Sequence, residues 1–358
     1  MLKDYLYNLA TDKKKGILAC FLKSILLPLS FFYGLVIKVL IFLSYLRQKY
    51  LNCKVISVGN ITLGGTGKTS LVELIAYYLK NKGYRIAIIS RGYKRRWSSP
   101  IISPAPFNKM GDEPYMLSQK LKDVKVIVDK DRIRAIKTAI KDYMVDVVIL
   151  DDGLQQWRIG KDLEIVTINS LVPFGNRFLL PRGILRQPLS SLKDVDIFVL
   201  SYANFSTHKE QLKSFLRKIN PFCLIVEAIH EVLGFYRLNE PERILNPLFF
   251  KDKPVVLFSG IGNPDAFEAT VKATGVKVKL SFRFPDHYAY RSSDLEYILK
   301  EAKSNHIDTI ITTEKDAVRF SGLELKDYKA NIYVVLVRLK ITQDEEGFFS
   351  RLLRIFNP

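Results

Sequence analysis

Cysteine is scarce in this 358-residue chain: Cys20, Cys53 and Cys223 lie far apart, with no CxxC pair and an odd count. A disulfide framework or a cysteine-rich zinc site does not fit that usage, and a reducing compartment does. Acid is also in short supply, with 36 Asp+Glu against 55 Lys+Arg and a formal charge of +19. Such an excess calls for an anionic partner, whether nucleic acid, a phosphate-rich substrate or an anionic membrane. Internal repeats and low-complexity segments are missing. With 48 % hydrophobic and 25 % charged residues, the chain is neither a disordered tail nor a multi-span membrane protein. Its length suits two or three domains, each with its own core.

The charge is uneven. Residues 74–111 hold Lys80, Lys82, Arg85, Arg91, Lys94, Arg95, Arg96 and Lys109 without an acid, and residues 165–193 hold Arg177, Arg182, Arg186 and Lys193, again without one. Between Gly16 and Leu46 the only charges are Lys23 and Lys38. The uncharged interval 24–37 would make a helix of about 21 Å, short of a hydrocarbon core of about 30 Å. Lys23, Ser30, Gly34 and Lys38 fall on one narrow arc, and Lys13, Lys14 and Lys15 lead the segment. A mostly apolar helix of this kind suits an anionic membrane interface. A helix buried on the following domain and a true span are the alternatives. A signal peptide is a poor match, because no small-residue cleavage site ends the run.

After Leu51 short β-branched runs alternate with helical periodicity. Strands are expected at 54–58, 85–90, 125–128, 145–150, 164–168 and 196–201, with helices at 68–82, 132–142 and 208–218. A second series of strands follows at 254–259, 277–282, 308–312 and 332–337. Apolar strands alternating with helices indicate an α/β fold with a mostly parallel sheet covered on both faces. The expected organisation is a membrane-associated helical segment over 1–50, a phosphate-loop nucleotide-binding domain over 51–221, a linker strand pair over 222–252 (strands 222–229 and 234–239), and a smaller C-terminal α/β lobe over 253–358.

Gly59-Asn60-Ile61-Thr62-Leu63-Gly64-Gly65-Thr66-Gly67-Lys68-Thr69 follows an apolar strand and opens a helix, the setting of a phosphate loop. Its glycines let backbone N–H groups converge on phosphate oxygens, Lys68 adds a full charge, and Thr69 offers a hydroxyl to Mg²⁺. Thr62, Leu63, Gly64, Gly65, Thr66, Gly67, Lys68 and Thr69 are the expected nucleotide contacts. Thr62 stands where GxxxxGK[ST] has glycine, and Gly64-Gly65 resembles the GGxGK[ST] variant, although Leu63 replaces its frequent lysine. Val147–Asp152 supplies the partner carboxylates, because a buried strand releases Asp151 and Asp152 at its C-terminal edge. Guanine specificity is disfavoured, since Asn108–Asp112 places its acid one residue too late for NKxD.

Phosphoryl transfer to a hydroxyl also wants a base. Asp112 and Glu113 stand at a helix start, where an isolated acidic pair is usually a cap. His287, one of four histidines, lies in a Pro-marked turn, where a structural role is the plainer reading. It could tune Asp112 if both lobes faced one nucleotide. Thr313–Asp316 either touches the site or ends a strand, the strand end being the plainer reading. A partitioning-type ATPase and a nucleic-acid-binding ATPase are the rival functions, and no nucleic-acid module is recognisable.

GNITLGGTGKTS, SRGYKRR, GDEPYML, DKDR, DDGLQQ, LLPRGILRQP, FPDHYAY and TTEKDAVRF occur in one order over residues 59–320. Together they resemble the tetraacyldisaccharide 4′-kinase family, the lipid A 4′-kinases of Gram-negative bacteria. The resemblance implies an inner-membrane-associated enzyme with its site on the cytoplasmic face. It would move the γ-phosphate of ATP, with Mg²⁺, to the 4′-hydroxyl of a tetraacylated glucosamine disaccharide 1-phosphate. It further implies an Asp112–His287 dyad, Arg132 as a charge-stabilising group, and Asp151 and Asp152 in metal and phosphate-loop organisation. Thr69, Asp152 and Glu113 would form the metal shell, and Arg182 and Arg186 would contact substrate. Leu154 and Tyr288 are mild departures, the latter where a second histidine can occur. With a lipid A precursor and an anionic membrane surface as partners, nucleic acid is not expected.

Overall fold

The computed structural model describes residues 2–92, 99–320 and 332–357. The basic cluster Lys94, Arg95 and Arg96, and with it most of SRGYKRR, lies outside the described residues. Helices α1 (Leu2–Ala10) and α2 (Ile17–Tyr45) precede a first series: β1 (Lys54–Gly59), α3 (Lys68–Asn81), β2 (Ile86–Ser90), β3 (Ile101–Ile102), α4 (Phe107–Met110), α5 (Asp112–Lys120), β4 (Lys125–Val128), α6 (Arg132–Tyr143), β5 (Val147–Asp151), β6 (Leu163–Asn169), β7 (Ile197–Ser201) and α7 (Lys209–Ile219). The second series is β8 (Leu224–Arg237), β9 (Glu240–Leu245), β10 (Pro254–Ser259), α8 (Pro264–Lys272), β11 (Lys277–Arg283), α9 (Ser292–Ser304), β12 (Ile310–Thr313), α10 (Glu314–Arg319), β13 (Ile332–Gln343) and α11 (Glu345–Arg354).

The strands join in one sheet, ordered β11-β10-β12-β13-β8-β7-β6-β1-β5-β2-β4-β3, with β9 on β8. β1, β2, β4, β5, β6 and β7 run parallel, and every residue of β2, β5 and β7 is buried. Such strands read as continuous Val/Ile runs because both faces are covered. Helix α3 shows the complementary pattern, burying Leu71, Val72, Ile75, Ala76 and Leu79 at helical spacing.

One strand sets the relation of the two lobes. Where strands 222–229 and 234–239 were expected, the chain runs as a single 14-residue strand, β8, with a bulge between Val232 and Gly234. The strand pair in this stretch is β8 with β9. The first residues of β8, Leu224–Glu227, pair parallel with β7, while Glu227–Arg237 pairs antiparallel with β13. β12 then runs parallel to the start of β13, beside the far end of β8. The two parallel series therefore run in opposite directions, and their C-terminal edges face each other across the β8/β13 ribbon. Ligands collect at such edges, so this polarity makes a shared cleft.

Helix α2 is 29 residues long, about 44 Å at 1.5 Å per residue, and is long and apolar enough to cross a membrane. It touches the body of the protein through a narrow stripe. Ser30 Oγ donates to the Leu179 carbonyl at 2.8 Å, and Tyr33 Oη donates to the Arg186 carbonyl at 2.8 Å. Gly34 lies where a Cβ would come within 2.7 Å of Leu179 Cδ1. Ser30 and Gly34, expected on a polar stripe, are thus the docking contacts. Ile17, Phe21, Phe31, Phe32, Leu35 and Phe42 are exposed around the rest of the helix.

Candidate active site

The loop between β1 and α3 is braced before any nucleotide arrives. Gly67 adopts φ +83° at the helix start, and a Cβ there would sit 3.1 Å from His230 Cε1. A left-handed residue crowded in this way is best served by glycine. Lys68 Nζ donates to Asn60 Oδ1 at 2.9 Å and lies 3.5 Å from Asp152 Oδ1. Buried Asn60 is held in turn, its Nδ2 donating to the Thr62 carbonyl at 2.8 Å. The Thr66 and Thr167 hydroxyls meet at 2.7 Å and fasten the loop to β6. Thr69 is buried at the first turn of α3.

β5 lies beside β1, so Asp151 and Asp152 emerge next to this loop. Arg186 Nη1 donates to both Asp152 oxygens at 2.9 Å. It is delivered by backbone pairing, since Leu63 N donates to the Ile184 carbonyl and Arg186 N to the Ile61 carbonyl, each at 2.8 Å. Burial works to raise the Asp152 pKa, but Lys68 and Arg186 outweigh it and hold the carboxyl below its ordinary range. Asp151 goes the other way. Burial and the neighbouring Glu113 push it up to about 7, against the pull of Lys68.

Arg132 is buried at the first position of α6, donating through Nη1 to the Asp129 carbonyl at 2.9 Å. Burial and nearby Arg91 lower its pKa, while Asp151 and Asp152 act to raise it, which places the guanidinium at the same sheet edge. Arg182 is elsewhere. It donates through Nη2 to Asp12 Oδ1 at 3.0 Å and lies 4.9 Å over the Phe178 ring, tying the N-terminal segment to the body. Of the two arginines expected at the substrate, the fold brings Arg186 to the phosphate loop and leaves Arg182 with Asp12.

Across the cleft, His287 Nδ1 lies 3.0 Å from Asp112 Oδ2, and Arg319 Nε donates to the same oxygen at 2.7 Å. His287 is held in a left-handed conformation, φ +58°, with its N–H donating to the Gly260 carbonyl at 3.2 Å. Burial favours the neutral acid at Asp112, yet the His287 hydrogen bond and the Arg319 charge hold its pKa below the usual range. The His287 pKa is raised, first by its hydrogen bond to Asp112. The pair therefore sits as a carboxylate beside an imidazole inclined to hold its proton.

Behind Arg319 stands a buried frame. Its Nη1 donates to Asp316 Oδ1 at 2.8 Å and to the Gly260 carbonyl at 2.7 Å. Asp316 also accepts from Tyr290 Oη at 3.0 Å, Gly260 N at 3.0 Å and Thr313 Oγ1 at 2.6 Å. Lys315, one residue before Asp316, forms an ion pair with Glu113. Lys120 spans Glu73 at 3.1 Å and Glu314 at 2.9 Å, again joining the lobes. The expectation that Thr313–Asp316 merely ends a strand is corrected by these contacts. Arg319 and Lys315 were missed as site residues, their partners Asp112 and Glu113 being 207 and 202 residues away.

Glu113 and Asp152 already have cationic partners in Lys315, Lys68 and Arg186. Among the described residues no group of three or more His, Cys, Asp or Glu forms a ready cage for a metal. Mg²⁺ does not need one, since it is commonly held by one or two carboxylates together with substrate phosphates. A buried Asp151 carboxyl raised to about 7 on the strand next to β1, and a buried Thr69 hydroxyl in the first turn of α3, fit that chemistry.

The family model described as tetraacyldisaccharide-1-P 4′-kinase matches residues 22–357. The tetraacyldisaccharide 4′-kinase of Halothermothrix orenii is 34 % identical, covering 95 % of this chain and 94 % of its own. That of Elusimicrobium minutum is 38 % identical over 84 % and 82 %. The crystal structure of LpxK from Aquifex aeolicus in complex with ATP superposes with a TM-score of 0.70 at 29 % identity, covering 94 % of this chain and 99 % of that one. With the fold and nearly the whole length in common, this chain belongs to the tetraacyldisaccharide-1-P 4′-kinase family.

Proposed function

We propose that this chain transfers the γ-phosphate of ATP to the 4′-hydroxyl of a tetraacylated glucosamine disaccharide 1-phosphate, a lipid A precursor, at the cytoplasmic face of the inner membrane. The observation that carries this reading is the Asp112 carboxylate held 3.0 Å from His287 and 2.7 Å from Arg319, in a cleft shared with the phosphate loop. An ATPase without an acceptor has no use for a carboxylate on the phosphate-loop lobe oriented by a histidine and an arginine of the second lobe.

In the proposed reaction the backbone of Thr62–Thr69 cradles the nucleotide and Lys68 bridges its outer phosphates. The acceptor oxygen bonds to the γ-phosphorus while the bond to the β–γ bridging oxygen breaks, and ADP leaves with that electron pair. The hydroxyl proton passes to Asp112, oriented by His287. The low Asp112 pKa keeps it ionised at neutral pH, and a loose phosphoryl transition state asks little basicity of it. Arg132 and Arg186 add positive charge at the edge where negative charge builds. Thr69, Asp151, Asp152 and Glu113 are the residues that would hold Mg²⁺, which supplies charge neutralisation across the phosphates when bound. The lipid approaches along α2, whose docking loop, residues 179–186, is the same segment that pairs with the phosphate loop.

The test is turnover with the disaccharide lipid. Asp112→Ala and His287→Ala are each expected to lose at least about a hundredfold, in the range of general-base losses. Near-normal turnover in either variant overturns the dyad.

A further inference from the structure

Besides Arg132, four cations stand near the acidic centre of the site: Lys68 on α3, Arg186 in the docking loop, and Arg319 and Lys315 on α10. The first three are each held by more than one partner. Lys68 is shared by Asn60 and Asp152. Arg186 spans both oxygens of Asp152 and the Gln155 Oε1. Arg319 is fixed by Asp316, the Gly260 carbonyl and Asp112. Lys315 differs from these. It stands in the first turn of α10, on the second lobe, and reaches across the cleft to Glu113, the residue next to Asp112. Its charge acts on Asp151 at the phosphate-loop edge, and on Tyr202 and His230, a stacked pair whose histidine lies against Gly67. Lys315 thus lies beside the neighbour of the proposed base and within electrostatic reach of the phosphate-loop edge. Its side chain remains about a third exposed, at 31 %.

We infer that Lys315 is a catalytic residue, a cation supplied by the second lobe that contacts the phosphoryl group in flight. In the structure Glu113 holds its place. When nucleotide and acceptor fill the cleft, the ammonium exchanges part of that pairing for the equatorial oxygens of the transferring group. A flexible lysine suits the exchange, being a compact point charge without the fixed fork of an arginine. The bonds made and broken are those of the proposed transfer. Lys315 forms none, and its proton stays on Nζ because Glu113 raises its pKa against the effect of burial.

This inference rests on the kinase reading, and the experiment separates the two. Full-length wild type, Lys315→Met and Lys315→Arg are compared in detergent micelles with the disaccharide lipid, measuring single-turnover transfer and, separately, ATP affinity. Lack of transfer by wild type would remove the kinase reading itself. Given wild-type transfer, Lys315→Met is expected to slow the single turnover at least about a hundredfold while the ATP Kd stays within about threefold, as in the loss of a finger residue acting on the transition state. Lys315→Arg is expected to recover at least about tenfold of that loss. Transfer by Lys315→Met within fivefold of wild type overturns the inference, as does a loss matched by an equal loss of ATP affinity. If a stranded Glu113 carboxylate unfolds Lys315→Met, Glu113→Gln with Lys315→Met is compared with Glu113→Gln alone. A further drop of about thirtyfold or more supports the role, and equal rates overturn it.

Discussion

Arg319 offers a way to separate what stabilises the cleft from what works in it. Its side chain is 4 % exposed, between Asp316 at 0 % and Asp112 at 16 %. Arg319→Met keeps much of the volume and removes the charge, stranding the Asp316 carboxylate in the second lobe. Breaking a buried ion pair in this way costs about 3–5 kcal/mol. Asp316 would keep its hydrogen bonds from Thr313, Tyr290 and Gly260, so the low end, about 3 kcal/mol, is expected. Burial already raises the Asp316 pKa, and Arg319 is the first influence against it. Without Arg319 the folded-state pKa rises further, so the penalty is largest above that value and shrinks as acid protonates the carboxyl. The assay is equilibrium urea unfolding followed by circular dichroism at pH 8 and pH 5. Asp112→Asn is the control, since Arg319 then retains Asp316 and the Gly260 carbonyl and the amide oxygen can still accept from Arg319 and His287. Its cost should stay below that of Arg319→Met. A penalty for Arg319→Met below about 1 kcal/mol, or one equal at both pH values, would refute the buried-frame reasoning.

Asp151 near pH 7 without a cation implies that Mg²⁺ binding with ATP releases a proton at pH 6.5, so apparent Mg²⁺ affinity climbs with pH and levels off above about 8. Calorimetry in two buffers of different ionisation heat should reveal that release, and Asp151→Asn should remove it. Gly67→Ala forces φ +83° on a residue with a Cβ and drives it towards His230; at about 1–2 kcal/mol for the left-handed conformation plus the clash, nucleotide affinity measured by fluorescence titration should fall at least tenfold. Phe31 and Phe32 are 80 % and 65 % exposed on α2, so replacing both with serine should weaken sedimentation with anionic vesicles by tenfold or more, each ring being worth about 1.5–3 kcal/mol on burial. Unchanged vesicle binding would leave α2 without its membrane role.

The parallel strands and the phosphate loop could be read from sequence because each is contiguous: a buried strand is a run of Val and Ile, and the loop is a fixed spacing of Gly, Lys and Thr. β8 could not, because His230 and Glu231 interrupt its apolar run and mimic the gap between two strands. That strand decides the facing of the two C-terminal edges, so the meeting of Asp112 with His287 was legible only as a condition. Lys315 and Arg319 were hidden for a related reason. Their partners Glu113 and Asp112 are 202 and 207 residues away, and Glu-Lys-Asp at a helix start reads locally as solvated charge. Ser30 and Gly34 on α2 were visible as a stripe, but whether a stripe faces water or protein depends on the loop that docks there.

The central claim is transfer to a lipid hydroxyl, and one measurement addresses it directly. The full-length protein is given γ-labelled ATP, Mg²⁺ and the tetraacylated disaccharide 1-phosphate in mixed micelles, and the lipid is extracted and mapped. Label on the 4′-oxygen with wild type, and none with Lys68→Ala, is the predicted result. Release of label as inorganic phosphate at the same rate with or without the lipid would contradict the account.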